Sequence, residues 1–197
     1  TAIRWSGVYI QDTNVNLLSS FEFLDQKSLP VEFGAITKLQ MANNFQAEGS
    51  IMLSIHKNEI ASLYLGQATL SQAAGGQITA NTTDIIGSVN PLSKRVGSIN
   101  PESVVQKDGN VYGFDLLRGI AWRYGQDGLT FISDARMKNY FYDKSRELLS
   151  EENIEIYGGI NQYHNQYILT FPDETIAWSE IINRWVSFYS FIAENYQ

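Results

Sequence analysis

The stretch that most constrains this chain is 110–133, NVYGFDLLRGIAWRYGQDGLTFIS. Three short apolar or aromatic runs, at 111–114, 120–124 and 129–132, alternate with turn-forming clusters at 115–119 and 125–128. Runs of this length between Gly- and Asp-bearing turns predict an antiparallel meander. A related pattern follows downstream: Trp178-Ser179, a polar or small turn ending at Asn183-Arg184, then an apolar and aromatic run at 185–191. In both copies a strand ending on an aromatic residue turns into a second strand that carries a tryptophan. The pattern predicts a repeated sheet unit, with Trp122 and Trp185 in matching places.

Ahead of this meander, 2–6 (AIRWS) reads as a strand that 8–10 continue, and Asp12, Thr13 and Asn14 supply turn chemistry through short side-chain acceptors. The stretch 17–32 has no clean period and Pro30 bars a central strand, so it is expected to leave the sheet. A second meander is predicted at 36–41, 51–56 and 60–65, broken at Asn43-Asn44 and at Lys57-Asn58-Glu59. Alternation of Met52, Ser54 and His56 with Ile51, Leu53 and Ile55 predicts a strand with one buried face. From 67 to 101 the composition shifts to Gly, Ala, Ser, Thr, Gln and Asn, and a long extended arm is expected, anchored by Ile85, Ile86 and Val89. Past the unit at 104–132, Ser133-Asp134 offers an N-cap for a helix to about residue 150. Strands at 154–160, 167–171, 175–179 and 184–191 then make a four-stranded unit, and four strands is the number of a propeller blade.

The expected fold class is therefore all-β: a partial β-propeller of antiparallel meander blades with one short helix and a long extended arm. Its expected divisions are an N-terminal blade at 1–66, the connecting arm at 67–101, and further blades at 102–197 with the helix inserted at 134–150.

Composition narrows the function classes. A hydrophobic share of 44% and an aromatic share of 13% describe a folded chain. A formal net charge of -7 opposes any grip on nucleic acid through its phosphates, which needs concentrated Lys and Arg. Cysteine is absent, which excludes disulfides and thiolate metal sites. No apolar run approaches the roughly 20 residues a membrane-spanning helix needs, so no membrane-spanning segment is expected. An opening at Thr1, without a Met, is what a piece of a longer protein would show.

Each chemical motif has a plainer reading beside it. His56 and His164 lie on separate predicted hairpins without the clustering that zinc or nucleophile activation requires, so structural or surface roles are expected. The run from Asp127 to Phe131 approaches the Asp-box of sialidase propellers, Ser-x-Asp-x-Gly-x-Thr-Trp, but lacks one residue between Asp127 and Gly128. It is expected to be a tight turn whose glycine takes positive φ. Glu151, Glu152 and Glu155 offer carboxylates for glycoside hydrolysis, which requires a facing pair across a cleft; a solvated run is the expectation. Arg118, Arg123, Lys138, Lys144 and Arg146 form the main basic group, interleaved with Trp122, Tyr124, Tyr140, Phe141 and Tyr142. Aromatics beside arginine can stack bases, but at strand spacing they fill a sheet face, and the cations are expected to meet other protein. Gly75-Gly76 and Gly158-Gly159 lack the Lys and Ser or Thr of a phosphate loop. No catalytic, cofactor-binding or metal-binding residue is predicted.

Several segments together resemble a known family, the β-propeller tail proteins of short-tailed bacteriophages, most closely the tail nozzle or muzzle protein of crAss-like phages. The carrying segments are IRWS at 3–6, GAITKL at 34–39, IASLYLG at 60–66, GSINPESVV at 97–105 and NVYGFDLLRGIAWRYGQDGLTFISDARMKNYF at 110–141. Their order, with NPES just before the meander and ISD just after it, is more specific than any one of them. The resemblance implies a structural virion protein and no enzyme: a homo-oligomeric tube at the distal phage tail through which DNA and proteins exit. Its implied partners are other copies of itself and neighbouring tail proteins, with DNA passing unheld. The chain departs from a complete nozzle protein in showing about three blades, where a closed propeller has typically 4 to 8. The rival reading is a secreted glycan-binding or glycan-cleaving propeller, motivated by the aromatics and the imperfect Asp-box.

Overall fold

Short runs of β-branched and aromatic residues bounded by tight turns become strands, as their composition favours. The computed structural model describes residues 1–7, 14, 16–42, 50–65, 69–71, 77–79, 85–92, 94–151 and 154–196. Two short strands, β1 (Ala2–Arg4) and β2 (Gln26–Ser28), pair as a ribbon. Next come β3 (Ile36–Ala42), β4 (Ser50–His56), β5 (Ile60–Leu65), a small ribbon of β6 (Thr69–Ser71) with β7 (Gln77–Thr79), and β8 (Ile86–Pro91). Sheet I has the order β3-β4-β5-β8. Sheet II is β9 (Val105–Lys107), β10 (Asn110–Asp115), β11 (Ile120–Gly125) and β12 (Gly128–Phe131), side by side in chain order. Helix α1 (Lys138–Leu148) leads to sheet III, made of β13 (Tyr157–Asn161), β14 (Gln166–Thr170), β15 (Thr175–Ser179) and β16 (Arg184–Tyr189), again in chain order. All the pairings are antiparallel. The chain is therefore all-β with one α-helix among the described residues. The first strands of the three sheets lie together, with β9 beside both β3 and β13.

Turn chemistry sets the registers. Asp108 and Gly109, at φ 50° and 83°, join β9 to β10 in the two-residue form that matches strand twist. Gly128, at φ 84°, closes the β11–β12 turn, as expected for the stretch 127–131.

Three apolar cores alternate with the sheets. Ile3, Leu29, Leu63 and Ile86 join the β1–β2 ribbon to sheet I. Leu53, Ile55, Ile60, Val96, Val111 and Trp122 join sheet I to sheet II. Phe114, Tyr167, Leu169, Phe171 and Trp178, with Phe141 and Leu148 of α1, join sheet II to sheet III. The segment 94–100 threads between sheets I and II: the Ser98 amide donates to the His56 carbonyl at 2.9 Å, and its hydroxyl to the Phe114 carbonyl at 2.8 Å.

Several expectations change. The stretch 17–32 does not simply leave the sheet, because Gln26–Ser28 pairs with β1; Pro30 follows that strand, where no ladder donor is needed. The extended arm fails at Ile86–Pro91, which is the fourth strand of sheet I. An outermost strand needs backbone pairing and little burial, and buried Ile86 suffices among small polar neighbours. The strand β4 has two buried faces, since one packs on sheet II and the other on the β1–β2 ribbon. Ser133-Asp134 does not cap the helix: both belong to a 3-10 turn, and Arg136 at φ 66° breaks the helical path, so α1 starts at Lys138. The repeat register also shifts. The third strands of the sheets carry Ile60-Ala61, Ile120-Ala121 and Ile176-Ala177, each alanine fully buried, so Trp122 matches Trp178, while Trp185 lies on the outermost strand. The strand expected at 8–10, Asp12, Thr13, Asn43, Asn44, Gly75, Gly76 and Glu152 lie outside the described residues.

Candidate functional site

The two histidines are far apart in role. His56, at the end of β4, is fully buried. Its ring nitrogens lie 2.7 Å from Ser54 Oγ and 3.2 Å from the Gly34 carbonyl, and the Phe33 ring meets it edge-on. Burial pushes its pKa down, so it is a neutral core group. His164 sits exposed in the β13–β14 turn against Tyr163, with its amide bonded to Asn161 Oδ1.

Glu151 and Glu155, the described carboxylates of this run, do not face one another as an acid and base pair. Glu151 is exposed just past α1. Glu155 accepts a hydrogen bond from the Tyr157 hydroxyl and shares with Glu194, Pro172 and Ile192 a shallow cleft of about 520 Å³ that Glu151 does not line. The bond to Glu155 raises the pKa of Tyr157. Gly158 and Gly159 are strand residues with no phosphate-loop geometry. A Cβ on Gly158 would lie 2.3 Å from the Ser103 carbonyl, and one on Gly159 2.5 Å from the Tyr196 ring, so both mark close packing.

Three of the five cations of the basic group are paired with carboxylates of the same chain. Arg118 bonds the buried Asp115 at 2.8 Å. Arg123 bridges Glu180 and Asp127, tying sheet II to the β15–β16 turn. Lys144 of α1 meets Asp173, Glu174 at 3.0 Å and Glu147 at 3.6 Å. Arg146 lies over the Tyr142 ring, and Lys138 is exposed. The expectation that these cations meet neighbouring proteins therefore fails for Arg118, Arg123 and Lys144, whose carboxylates are intramolecular. Of the interleaved aromatics, Trp122 and Phe141 are core, and Tyr124 is nearly so, leaving no row of exposed rings for base stacking.

Asp115 anchors the junction of sheets I and II. It accepts the Gly97 amide at 2.9 Å and the Arg118 amide at 3.2 Å, while burial raises its pKa. Burial also raises the pKa of Glu59, with Arg95 and Arg118 opposing that shift, and one of its carboxylate oxygens lacks a hydrogen-bond partner among the described residues. Among the described residues no group of three or more His, Asp or Glu could hold a metal ion, and no helix is long and apolar enough to cross a membrane.

What the surface does offer is apolar. One cluster is the β1–β2 loop, with Leu18, Phe21, Phe23 and Leu24 more than half exposed. The other is sheet III's outer margin, with Ile181, Ile182, Phe188 and Ile192 likewise. Neither was singled out in the sequence, although the uncharged run 185–193, ending before Glu194, was a legible signal for the second. Contiguous exposed apolar clusters are, in general, a mark of interaction surfaces. No family model and no curated protein matches the chain.

Proposed function

We propose that the chain is a structural virion protein, part of a tail nozzle of a short-tailed phage, in which sheets I to III are consecutive blades of a β-propeller. The observation that carries the reading is the grouping of the first strands, β3, β9 and β13, with each sheet continuing outward through a four-stranded meander. That is how blades surround an axis. The exposed apolar margins support it as surfaces for other copies and neighbouring tail proteins. Peptide mass spectrometry of purified virions of the encoding phage tests it. Peptides of this chain at levels comparable with other tail components are expected, and their absence overturns the proposal.

A conduit must let DNA pass without holding it. The net charge is -7 and the three best-placed cations are internally paired, so few counterions would be released on a duplex. Fluorescence anisotropy with double-stranded DNA at roughly 0.15 M salt, where the Debye length is about 8 Å, should show no binding. Micromolar, salt-sensitive affinity would contradict the conduit.

A further inference from the structure

The outermost strands of the three sheets are guarded unequally. An exposed edge invites pairing with another chain, and lysine is a common guard against it. Lys27 donates to the Gly87 carbonyl of β8 at 3.2 Å. Lys94 donates to the Leu129 carbonyl of β12 at 2.9 Å and lies 4.8 Å from the Phe131 ring centroid. No lysine or arginine side chain bonds a β16 carbonyl among the described residues, and 185–193 carries no charge. Val186 and Phe188 are exposed along this strand, and Ile181 and Ile182 in the turn before it. Arg184 at its start is exposed and has no ion pair among the described residues.

A surface of matching character lies at the other end of the molecule. The β1–β2 loop exposes Phe21, Phe23 and Leu24, the last two at 75% and 81%, with Glu22 and Asp25 between and beside them. Sheets I and II separate this loop from sheet III, because the ribbon packs on sheet I, sheet I on sheet II, and sheet II on sheet III. One chain therefore does not close the two surfaces on each other.

We infer that the two surfaces are the halves of one contact between copies: the segment 17–25 of one copy docks along β16 and the 181–182 turn of the next. Turns closed by the Ser20 amide on the Leu17 carbonyl and the Asp25 amide on the Glu22 carbonyl hold Phe21, Phe23 and Leu24 outward, so the contact is made by apolar side chains against the exposed Val186, Phe188 and Ile181. Glu22 and Asp25 complement Arg184, which has no ion pair among the described residues, and orient the contact. The contact joins unlike surfaces, so repetition makes a ring if the rotation closes and an open filament if it does not. This inference rests on the reading of the chain as one copy in a homo-oligomeric tube, and names the interface that reading requires.

Sedimentation velocity on the whole chain tests it at about 50 μM, well above the Kd of a micromolar contact. The wild-type chain should sediment as dimers and larger species. Phe188→Lys and Phe23→Lys should each be monomeric, because each lacks one surface. An equimolar mixture of the two should form a 1:1 dimer that does not grow, since each variant retains the surface the other has lost. A monomeric wild type, a single variant that still associates, or a mixture that stays monomeric would each overturn the interface. Should Phe188→Lys fail a circular dichroism check of folding, Arg184→Glu at the same margin replaces it. The complementation result is independent of the virion test: association by a chain missing from virions sinks only the virion reading, and a monomeric chain found in virions sinks only the interface.

Discussion

Trp122→Ala is expected to lower the stability of the chain by about 3–5 kcal/mol, the range for removing a large aromatic from a close-packed core. Trp122 is fully buried on β11 and its Nε1 donates to the Gly97 carbonyl at 3.1 Å. Its six-membered ring covers Gly113 of the neighbouring strand so closely that a Cβ there would lie 2.3 Å from Cζ2. The truncation would leave a cavity between sheets I and II and strip the Gly97 carbonyl of the indole donor, and an orphaned buried acceptor adds its own desolvation cost. Trp185, half-buried on the outermost strand, should cost about 1–3 kcal/mol on the same change. Urea unfolding followed by tryptophan fluorescence and by circular dichroism separates the two. Equal losses would mean that Trp122 and Trp185 occupy equivalent places after all, against the third-strand register.

The strands of sheets II and III were legible because their apolar runs are short, aromatic and bounded by Asp, Asn and Gly. What misled was the presence of two tryptophans, Trp178 and Trp185, close together on adjacent strands: pattern alone preferred the one followed by a long aromatic run. The repeated Ile-Ala pair at 60, 120 and 176 was the better signal, since alanine on a strand has weak propensity and is kept where two sheets approach closely. The strand β8 was hidden for a physical reason. At a sheet margin the stabilisation comes from ladder hydrogen bonds, which leave no trace in side-chain composition. Burial of His56 and Ser54 was equally hidden, because they satisfy each other and the Gly34 carbonyl across 22 residues of sequence. Pairing of Arg118, Arg123 and Lys144 could not be read either, as Arg123 and Glu180 are 57 residues apart and Lys144 and Asp173 29 apart. The apolar β1–β2 loop is composed of ordinary residues whose exposure is a property of the fold, while the margin of sheet III left one trace in the sequence, the uncharged run 185–193.

The second large effect lies at Lys144, which joins α1 to the β14–β15 turn. Its side chain is 7% exposed, while Asp173, Glu174 and Glu147 around it are 57%, 26% and 64% exposed. Burial alone would lower the pKa of this ammonium, but its hydrogen bonds to Asp173 and Glu174 outweigh that and raise it. Lys144→Met keeps the apolar stem and leaves the three carboxylates facing one another without a cation. The expected loss at neutral pH is about 2–3 kcal/mol, less than the ~3–5 of a fully buried broken pair, because the carboxylates stay partly solvated. A lysine pKa raised by folding gives stability that is fully present below the unfolded value, about 10.4, and lost as pH rises through the folded value. The difference between wild type and Lys144→Met in urea midpoint should therefore be constant from pH 7 to 9 and shrink above pH ~10.4. A difference that is absent at pH 7, or that grows as the solution is made alkaline, would show that the Lys144 cluster does not hold α1 to sheet III.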